Sequence, residues 1–245
     1  MCTNKPYTIE FMPLAESTNT LLKQRAAEGE KAGRVIVAHK QSAGRGRKGR
    51  SFHSEGGVGI YMSILLRPDF SLERTALLTC LAAVATARAI EPHSKAPIGI
   101  KWVNDLYIEE KKVCGILTES AASGDKPLYT VVGIGVNLYM PEGGFPKQIR
   151  EIATALFYKE EDARREYEGI ITKILDEFFK LYSEFETLSF VEEYKRRSIL
   201  NGKRVFVEGR ACTVLGIDDD CRLLVQYGDG KRAAIGFGEA VTKAP

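Results

Sequence analysis

Between residues 43 and 51 the chain reads AGRGRKGRS, which sets Arg45, Arg47, Lys48 and Arg50 among Gly44, Gly46 and Gly49. Each neighbouring like-charged pair, about 6 Å apart at an effective dielectric near 20, repels by roughly 3 kcal/mol, and by less than about 1 kcal/mol where water screens it. The glycines loosen the backbone and let amide N–H groups come close to a ligand. There is almost no acidic neighbour before Glu55. Such a segment suits the capture of a phosphate or carboxylate: repulsion holds the empty loop open, and a bound anion draws it shut.

Other readings compete. Gly44-x-x-x-x-Gly49-Arg50-Ser51 nearly matches a phosphate loop and follows an apolar strand, but Arg50 replaces the lysine and FHSEGGVG is poorly suited to open the required helix. Arg-Gly repeats also bind nucleic acid, usually with interleaved aromatics; here only Phe52 and Tyr61 lie nearby. The bland reading is a solvated turn.

Whatever the loop binds, strands and helices must hold it. YTIEF at 7–11 reads as a strand, and STNTLLKQRAAEG as a helix capped by Ser17, Thr18 or Asn19 and stopped at Gly29. RVIVAH at 34–39 is a strand that feeds the basic loop, and GIYMSILLRP is the strand that leaves it. SLERTALLTCLAAVATARAIEP reads as an apolar helix, and GIKW, LYIEE, KVCGILTES and LYTVVGIGVNL as strands. The link at Glu110 and Lys111 is too short for a crossover, so LYIEE and KVCGILTES form an antiparallel hairpin. From Glu160, Tyr167, Ile170, Ile171, Ile174, Leu175, Phe178, Phe179 and Tyr182 recur at helical spacing, which marks a core face. The pattern changes near 198, where RVFVEG, ACTVLGID, RLLVQY and AAIGFGEAV read as short strands of a small β-barrel.

Composition bounds the function. At 245 residues and 44% hydrophobic, the chain suffices for one large core and a small second unit. A net charge of +3 is too small for a general polyanion binder, so any basic function is local. Cys2, Cys80, Cys114, Cys212 and Cys221 are scattered and lack a C-x-x-C, which argues against a disulfide framework or zinc site and fits a reducing cytoplasm. His39, His53 and His93 lack metal-ligand spacing. The N-terminus has no basic-then-apolar leader, and ALLTCLAAVATARAI is short and interrupted by Arg88, so neither export nor membrane insertion is expected.

Five segments, STN at 17–19, QSAGRGRKGR at 41–50, KWVNDL at 101–106, KKVCGIL at 111–117 and GIGVN at 133–137, resemble in order the signature segments of biotin-protein ligases. The likeness spans nearly the whole chain. It implies an α+β fold, a largely antiparallel mixed sheet flanked by helices of the class II synthetase-like kind, with residues 1–198 catalytic and 199–245 a small SH3-like barrel. It also implies a two-step reaction: biotin and ATP give biotinyl-AMP and pyrophosphate, and a lysine of a biotin carboxyl carrier domain then takes the biotinyl group. Mg²⁺ is expected with the phosphates, and a homodimer is possible by analogy. Relatives that repress transcription carry an N-terminal helix-turn-helix; the ligase-like sequence here begins almost at once, so DNA binding is not expected.

Carried over residue by residue, the resemblance makes Arg45, Arg47 and Lys112 the catalytic cations. Ser17, Thr18, Asn19, Gln41, Gly44 and Gly46, with those cations and Gly115, become the biotin site. Arg50, Phe52, Asn104, Asp105 and Asn137, again with the cations, become the nucleotide site; Asp105 is the one candidate metal ligand beside the ATP phosphates. Simpler readings stand alongside: Ser17–Asn19 as a plain helix cap, Lys112 as an exposed hairpin cation, Asn104-Asp105 as a turn. Two departures from the family are Val103, where proline is frequent, and Phe52, where tryptophan is common and would stack over more area. GIGVN resembles part of a dinucleotide fingerprint, but no helix is expected after it. Alternative functions are a lipoate ligase or octanoyl transferase of related fold, and a non-catalytic biotin or nucleotide sensor.

Overall fold

The computed structural model describes residues 5–236 and 238–242, so Cys2 lies outside the described residues. Strand β1 (Thr8–Met12) leads to helix α1 (Thr18–Ala27), whose N-cap Ser17 accepts from the Thr20 amide at 3.4 Å. That bond satisfies one of the amides a helix start leaves unpaired. β2 (Arg34–Ala38) runs parallel to β1, and a bridge between Ala15 and Gln41 continues the pair, setting Gln41 beside the start of α1. The basic loop then makes one 3₁₀ turn at Arg47–Gly49 and returns as β3 (Gly59–Leu66), antiparallel to β2. No helix follows the loop, so its context excludes the phosphate-loop reading.

All eight residues of β3 are buried, as befits a central strand. In α2 (Leu77–Ile90) every residue is buried except Arg88, which reaches Glu193 at 2.7 Å and Glu177 at 3.3 Å. By length and composition Glu73–His93 is apolar enough to cross a membrane, but 78% of its apolar window is buried inside this fold. A helix apolar on all sides belongs in a core. It packs between the sheet and α3 (Glu160–Ser183), which contributes Ile170, Ile171, Ile174, Leu175 and Phe178, each 1% exposed or less. Tyr167 and Tyr182 are only half-buried, at the rim of the same core. Burying each large side chain contributes about 1.5–3 kcal/mol.

β4 (Ile98–Lys101), β5 (Asp105–Ile108), β6 (Lys111–Ser123) and β7 (Lys126–Asn137) complete a seven-stranded sheet of order β1-β2-β3-β7-β6-β5-β4. All its pairs but β1–β2 are antiparallel, and the anticipated hairpin is β5–β6. β6 and β7 run longer than the sequence pattern indicates, meeting at Gly124 and Asp125, where Gly124 has the positive φ of +61° that a two-residue turn favours. α1 covers the other face through Leu22 and Ala26 against Ile36, Leu65 and Val131. Residues Gly133–Asn137 lie inside β7, and the next helix starts only at Glu160, which removes the dinucleotide reading.

A short helix α4 (Val191–Arg196), not evident in the sequence pattern, precedes Ser198 and Ile199, which still bridge to Ile100 of the large sheet. The second sheet is antiparallel: β8 (Arg204–Val207), β9 (Arg210–Ile217), β10 (Leu223–Tyr227), β11 (Arg232–Ile235) and β12 (Ala240–Val241), in the order β11-β10-β9-β8-β12. AAIGFGEAV, read as one strand, is therefore two; the chain breaks at Gly236 and Gly238 so that β12 can pair with β8. Trp102 Nε1 donates to Cys221 O at 2.9 Å and ties this sheet to the large one. Cys80, Cys114, Cys212 and Cys221 are free and buried.

Candidate active site

The basic loop closes over the α1 end of the large sheet, and beneath it lies a cavity of about 60 Å³. Ser17, Thr18, Asn19, Gln41, Arg45, Gly46, Arg47, Phe52, Asn104, Lys112 and Gly115 line it. Eleven of the residues singled out from the sequence thus meet in one place. An adjoining outer cavity of about 110 Å³ is lined by Arg47, Arg50, Phe52, Asn104, Asp105, Lys112 and Glu239, among others.

The inner wall is a closed polar network. Ser17, Thr18, Asn19 and Ser63 are all buried. Gln41 Oε1 accepts from the Thr18 amide at 2.8 Å and from Thr18 Oγ1 at 3.1 Å, while Gln41 Nε2 donates to Ser54 Oγ at 2.9 Å. Ser63 Oγ donates to Asn19 Oδ1 at 2.6 Å, which leaves Asn19 Nδ2 to donate to Leu117 O at 3.1 Å and Glu119 Oε2 at 3.0 Å. Buried polar groups need such partners. Ser17 is therefore a helix cap and a cavity residue together.

The floor is glycine. Gly115 and Gly135 face each other across β6–β7, and the Phe52 ring rests on them: a Cβ at Gly135 would stand 2.6 Å from Phe52 Cε1, and one at Gly115 would stand 3.1 Å from Phe52 Cε2. A Cβ at Gly133 would stand 2.2 Å from Asn19 Oδ1. Only side-chain-free positions let α1 and Phe52 come so close to the sheet. Gly133 and Gly135, which line the cavity, and Ser63 and Glu119, which bond to Asn19 of its wall, are not among the candidate site residues that the motifs indicate. The signal for the glycines was the GIG of β7, two residues apart and so on one face.

The expectation that the loop cations lack counter-charges until a ligand arrives is corrected by the tertiary structure. Arg45 Nη2 lies 3.1 Å from Glu119 Oε1. Arg47 donates to Asn104 Oδ1 at 3.0 Å and Gly238 O at 2.8 Å. Arg50 makes two bonds of 2.7 Å to Glu239. The repulsion along the sequence is offset by partners 57 to 191 residues away, which local spacing cannot reveal. Burial opposes the charge on Glu119, but bonds from Lys23 and Asn19 and the Arg45 charge outweigh it and hold the carboxyl below its ordinary value. The Arg50 bonds, against burial, do the same for Glu239.

Lys112 Nζ sits 2.7 Å from Asp105 Oδ1 and 6.0 Å from the Phe52 ring centroid, so the lysine faces both cavities rather than bulk solvent. Asn104 is no simple turn residue: its Nδ2 donates to Ile116 O at 2.9 Å, and its O accepts from the Ile116 amide. The Trp102–Val103 peptide beside it is cis. Two other residues fall elsewhere. Gly44 stands behind the wall, where a Cβ would meet Phe52 O and Ser54 Oγ at 2.4 Å. Asn137 lines neither cavity; its Nδ2 donates to Thr154 O at 3.0 Å and braces the segment alongside β6. Arg50 belongs to the outer cavity only.

Among the described residues no group of three or more His, Cys, Asp or Glu can hold a metal ion. Chemically, the arrangement offers hydroxyl and amide groups for a neutral polar head, an apolar ring and glycine floor beside it, and Arg45, Arg47 and Lys112 for anions next door.

Comparison with known proteins agrees. Residues 11–137 match the biotin/lipoate A/B protein ligase family, and residues 202–242 match the biotin protein ligase C terminal domain. The chain is 37% identical over 233 residues to the bifunctional ligase/repressor BirA of Bacillus spizizenii, covering 90% of this chain and 70% of that protein. It is 30% identical over 240 residues to the biotin-(acetyl-CoA-carboxylase) ligase of Mycobacterium tuberculosis, covering 92% and 85%. Its fold is similar to that of the biotin protein ligase from Aquifex aeolicus solved in complex with biotin and ATP, with a TM-score of 0.76, 25% identity and coverage of 97% and 99%. With matched segments in both sheets and the polar cavity between the large sheet and the basic loop, the chain belongs to the biotin/lipoate A/B protein ligase family and carries the C-terminal domain of its biotin protein ligases.

Proposed function

We propose that this protein activates biotin with ATP and transfers the biotinyl group to a lysine of a carboxylase's biotin carboxyl carrier domain. The observation that carries this reading is the adjacency of the Ser17–Thr18–Asn19–Gln41 wall, suited to a neutral ureido head, to Arg45, Arg47 and Lys112. The names of its relatives support the same substrate.

In the first step the biotin carboxylate attacks the α-phosphate of ATP; the α–β bridging bond breaks, pyrophosphate leaves, and biotinyl-5′-AMP remains. An anion attacks an anion, so cations must neutralise both. Lys112 does so from β6 and Arg45 and Arg47 from the settled loop, and Phe52 with that loop keeps water from the mixed anhydride. In the second step the neutral amine of the carrier lysine attacks the acyl carbon, the amide forms, AMP departs, and the amine's proton passes to solvent.

Mg²⁺ enters as part of the nucleotide substrate, where it shields the phosphates; Asp105 and Glu239 are the carboxylates at the outer cavity, too few to cage a cation alone. A cavity of about 60 Å³ is far below the roughly 300 Å³ or more of a ligand site, so loading requires the Gly44–Phe52 loop to lift and settle again. We assign residues 1–198 to catalysis in a cytoplasmic setting, and residues 199–245 to an SH3-like unit. The test is to incubate the protein with ATP, Mg²⁺ and a carrier domain, offering biotin or lipoate. Label on the carrier lysine from biotin supports the reading; label from lipoate alone assigns the protein to lipoylation, and no label from either removes the enzymatic reading.

A further inference from the structure

Glu119 does not line the cavity, but its carboxylate lies 3.1 Å from Arg45, which does. Strand β6 alternates its faces, so Gly115, Leu117 and Glu119 share the side that bears the cavity. Asn19 and Lys23, one turn apart on α1, both come down on the Glu119 carboxylate. Asn19 Nδ2 donates to Oε2 at 3.0 Å, Lys23 Nζ donates to Oε1 at 2.8 Å, and Arg45 Nη2 lies 3.1 Å from the same Oε1. The Glu119 side chain is 19% exposed and that of Arg45 is 44% exposed. The carboxylate is thus fixed by a helix and a strand before it meets a guanidinium on a glycine-flanked loop.

We propose that Glu119 is a positioning residue for this reaction: it aims Arg45 at the cavity mouth, and Lys23 keeps the arrangement attractive to an anion. An arginine with a carboxylate of its own is neutralised locally. Here two cations share one carboxylate, so one positive charge remains in excess at the mouth. A catalytic group on a flexible segment needs a supporting contact from a rigid element to hold its geometry. Arg47 obtains that support from Asn104 and Gly238; Arg45 obtains it from Glu119. Because Asn19 also binds Glu119, the helix that supplies the polar wall sets the place of the cation as well.

The inference rests on the biotin and ATP reading, and its test separates the two. A double-mutant cycle of Glu119→Gln, Arg45→Ala and the pair, in the full chain, is read two ways: by biotin KM and kcat in ATP–pyrophosphate exchange, and by trypsin cleavage after Lys48 and Arg50 in ligand-free protein. Glu119→Gln is nearly isosteric and is expected to raise the biotin KM about tenfold with little change in kcat, to speed loop cleavage severalfold, and to add nothing in the Arg45→Ala background. Glu119→Asp is expected to recover part of the loss. A Glu119→Gln penalty that persists in full without Arg45, or loop cleavage unchanged by it, overturns the assignment. Should the parent show no exchange with biotin, the functional reading falls, and the cleavage cycle still decides whether Glu119 holds Arg45.

Discussion

Lys112 Nζ and Asp105 Oδ1 stand 2.7 Å apart across the β5–β6 pair, without the alignment of a hydrogen bond on that oxygen. The ammonium is held by charge alone at the junction of the two cavities. An incoming phosphate or carboxylate can therefore take Lys112 from Asp105 at little cost in geometry. Lys112→Ala is expected to remove about 2–4 kcal/mol of transition-state stabilisation from adenylate formation, with an unchanged circular dichroism spectrum. Arg47→Ala is expected to act in the same direction. Rapid-quench yields of adenylate equal to those of the parent would refute these roles.

The loop's three arginines are tethered, so trypsin is expected to cut ligand-free protein between Arg45 and Arg50 slowly, and more slowly still with biotin and ATP present. Glu239→Gln, which breaks the paired bonds to Arg50, is expected to speed cutting in the empty state. Mass mapping of timed digests checks this. Cleavage indifferent to ligands would dispose of the closing loop.

Gly133→Ala tests the floor. Its backbone pairs with Ser63 and Leu117 in the middle of the sheet, so Asn19 must yield to the new methyl group. A loss of about 1–3 kcal/mol from overpacking is expected in denaturant unfolding, together with loss of biotin binding in calorimetry. Adding Asn19→Ala should return much of the stability and none of the binding. A stable Gly133→Ala protein with intact binding would show that the contact is unimportant.

Arg197 donates to Glu91 at 2.6 and 2.9 Å, and these bonds, against the opposing effect of burial, lower the Glu91 carboxyl from 4.5 to about 2. A carboxyl with a lower pKa in the folded state stabilises fully above its unfolded value, and the contribution is lost as pH falls through the folded one. The melting temperature is thus expected to drop between pH 4.5 and about 2, and Arg197→Met to flatten that part of the profile. Glu91 is 37% exposed, so solvent screening reduces the size of the effect. Parallel slopes for parent and variant would exclude it.

Much of this was legible in the residues. The N-cap, the β5–β6 hairpin and the apolar faces of α2 and α3 follow from local patterns, and so do the Ser17–Asn19 and Arg45–Arg47 contributions to the cavity. What the chain did not disclose depends on distant partners. Glu119 carries no motif, yet it gathers Asn19, Lys23 and Arg45 from two other elements. The counter-charge of Arg50 comes from Glu239, a position with no local hint. Asn137, assigned by motif to the nucleotide, spends its amide on Thr154, because β7 turns it toward the loop that runs beside β6. The split between β11 and β12 was hidden because short apolar runs do not show where a strand changes neighbours.

The Gly238 carbonyl that accepts from Arg47 means that a segment 191 residues further along the chain finishes the structure that the basic loop begins. A ribosome making this chain would release a nearly whole sheet before that last grip exists. Catalytic competence would then wait for the second sheet to emerge, and a nascent copy holding only the first would be shaped like the enzyme without yet behaving as one.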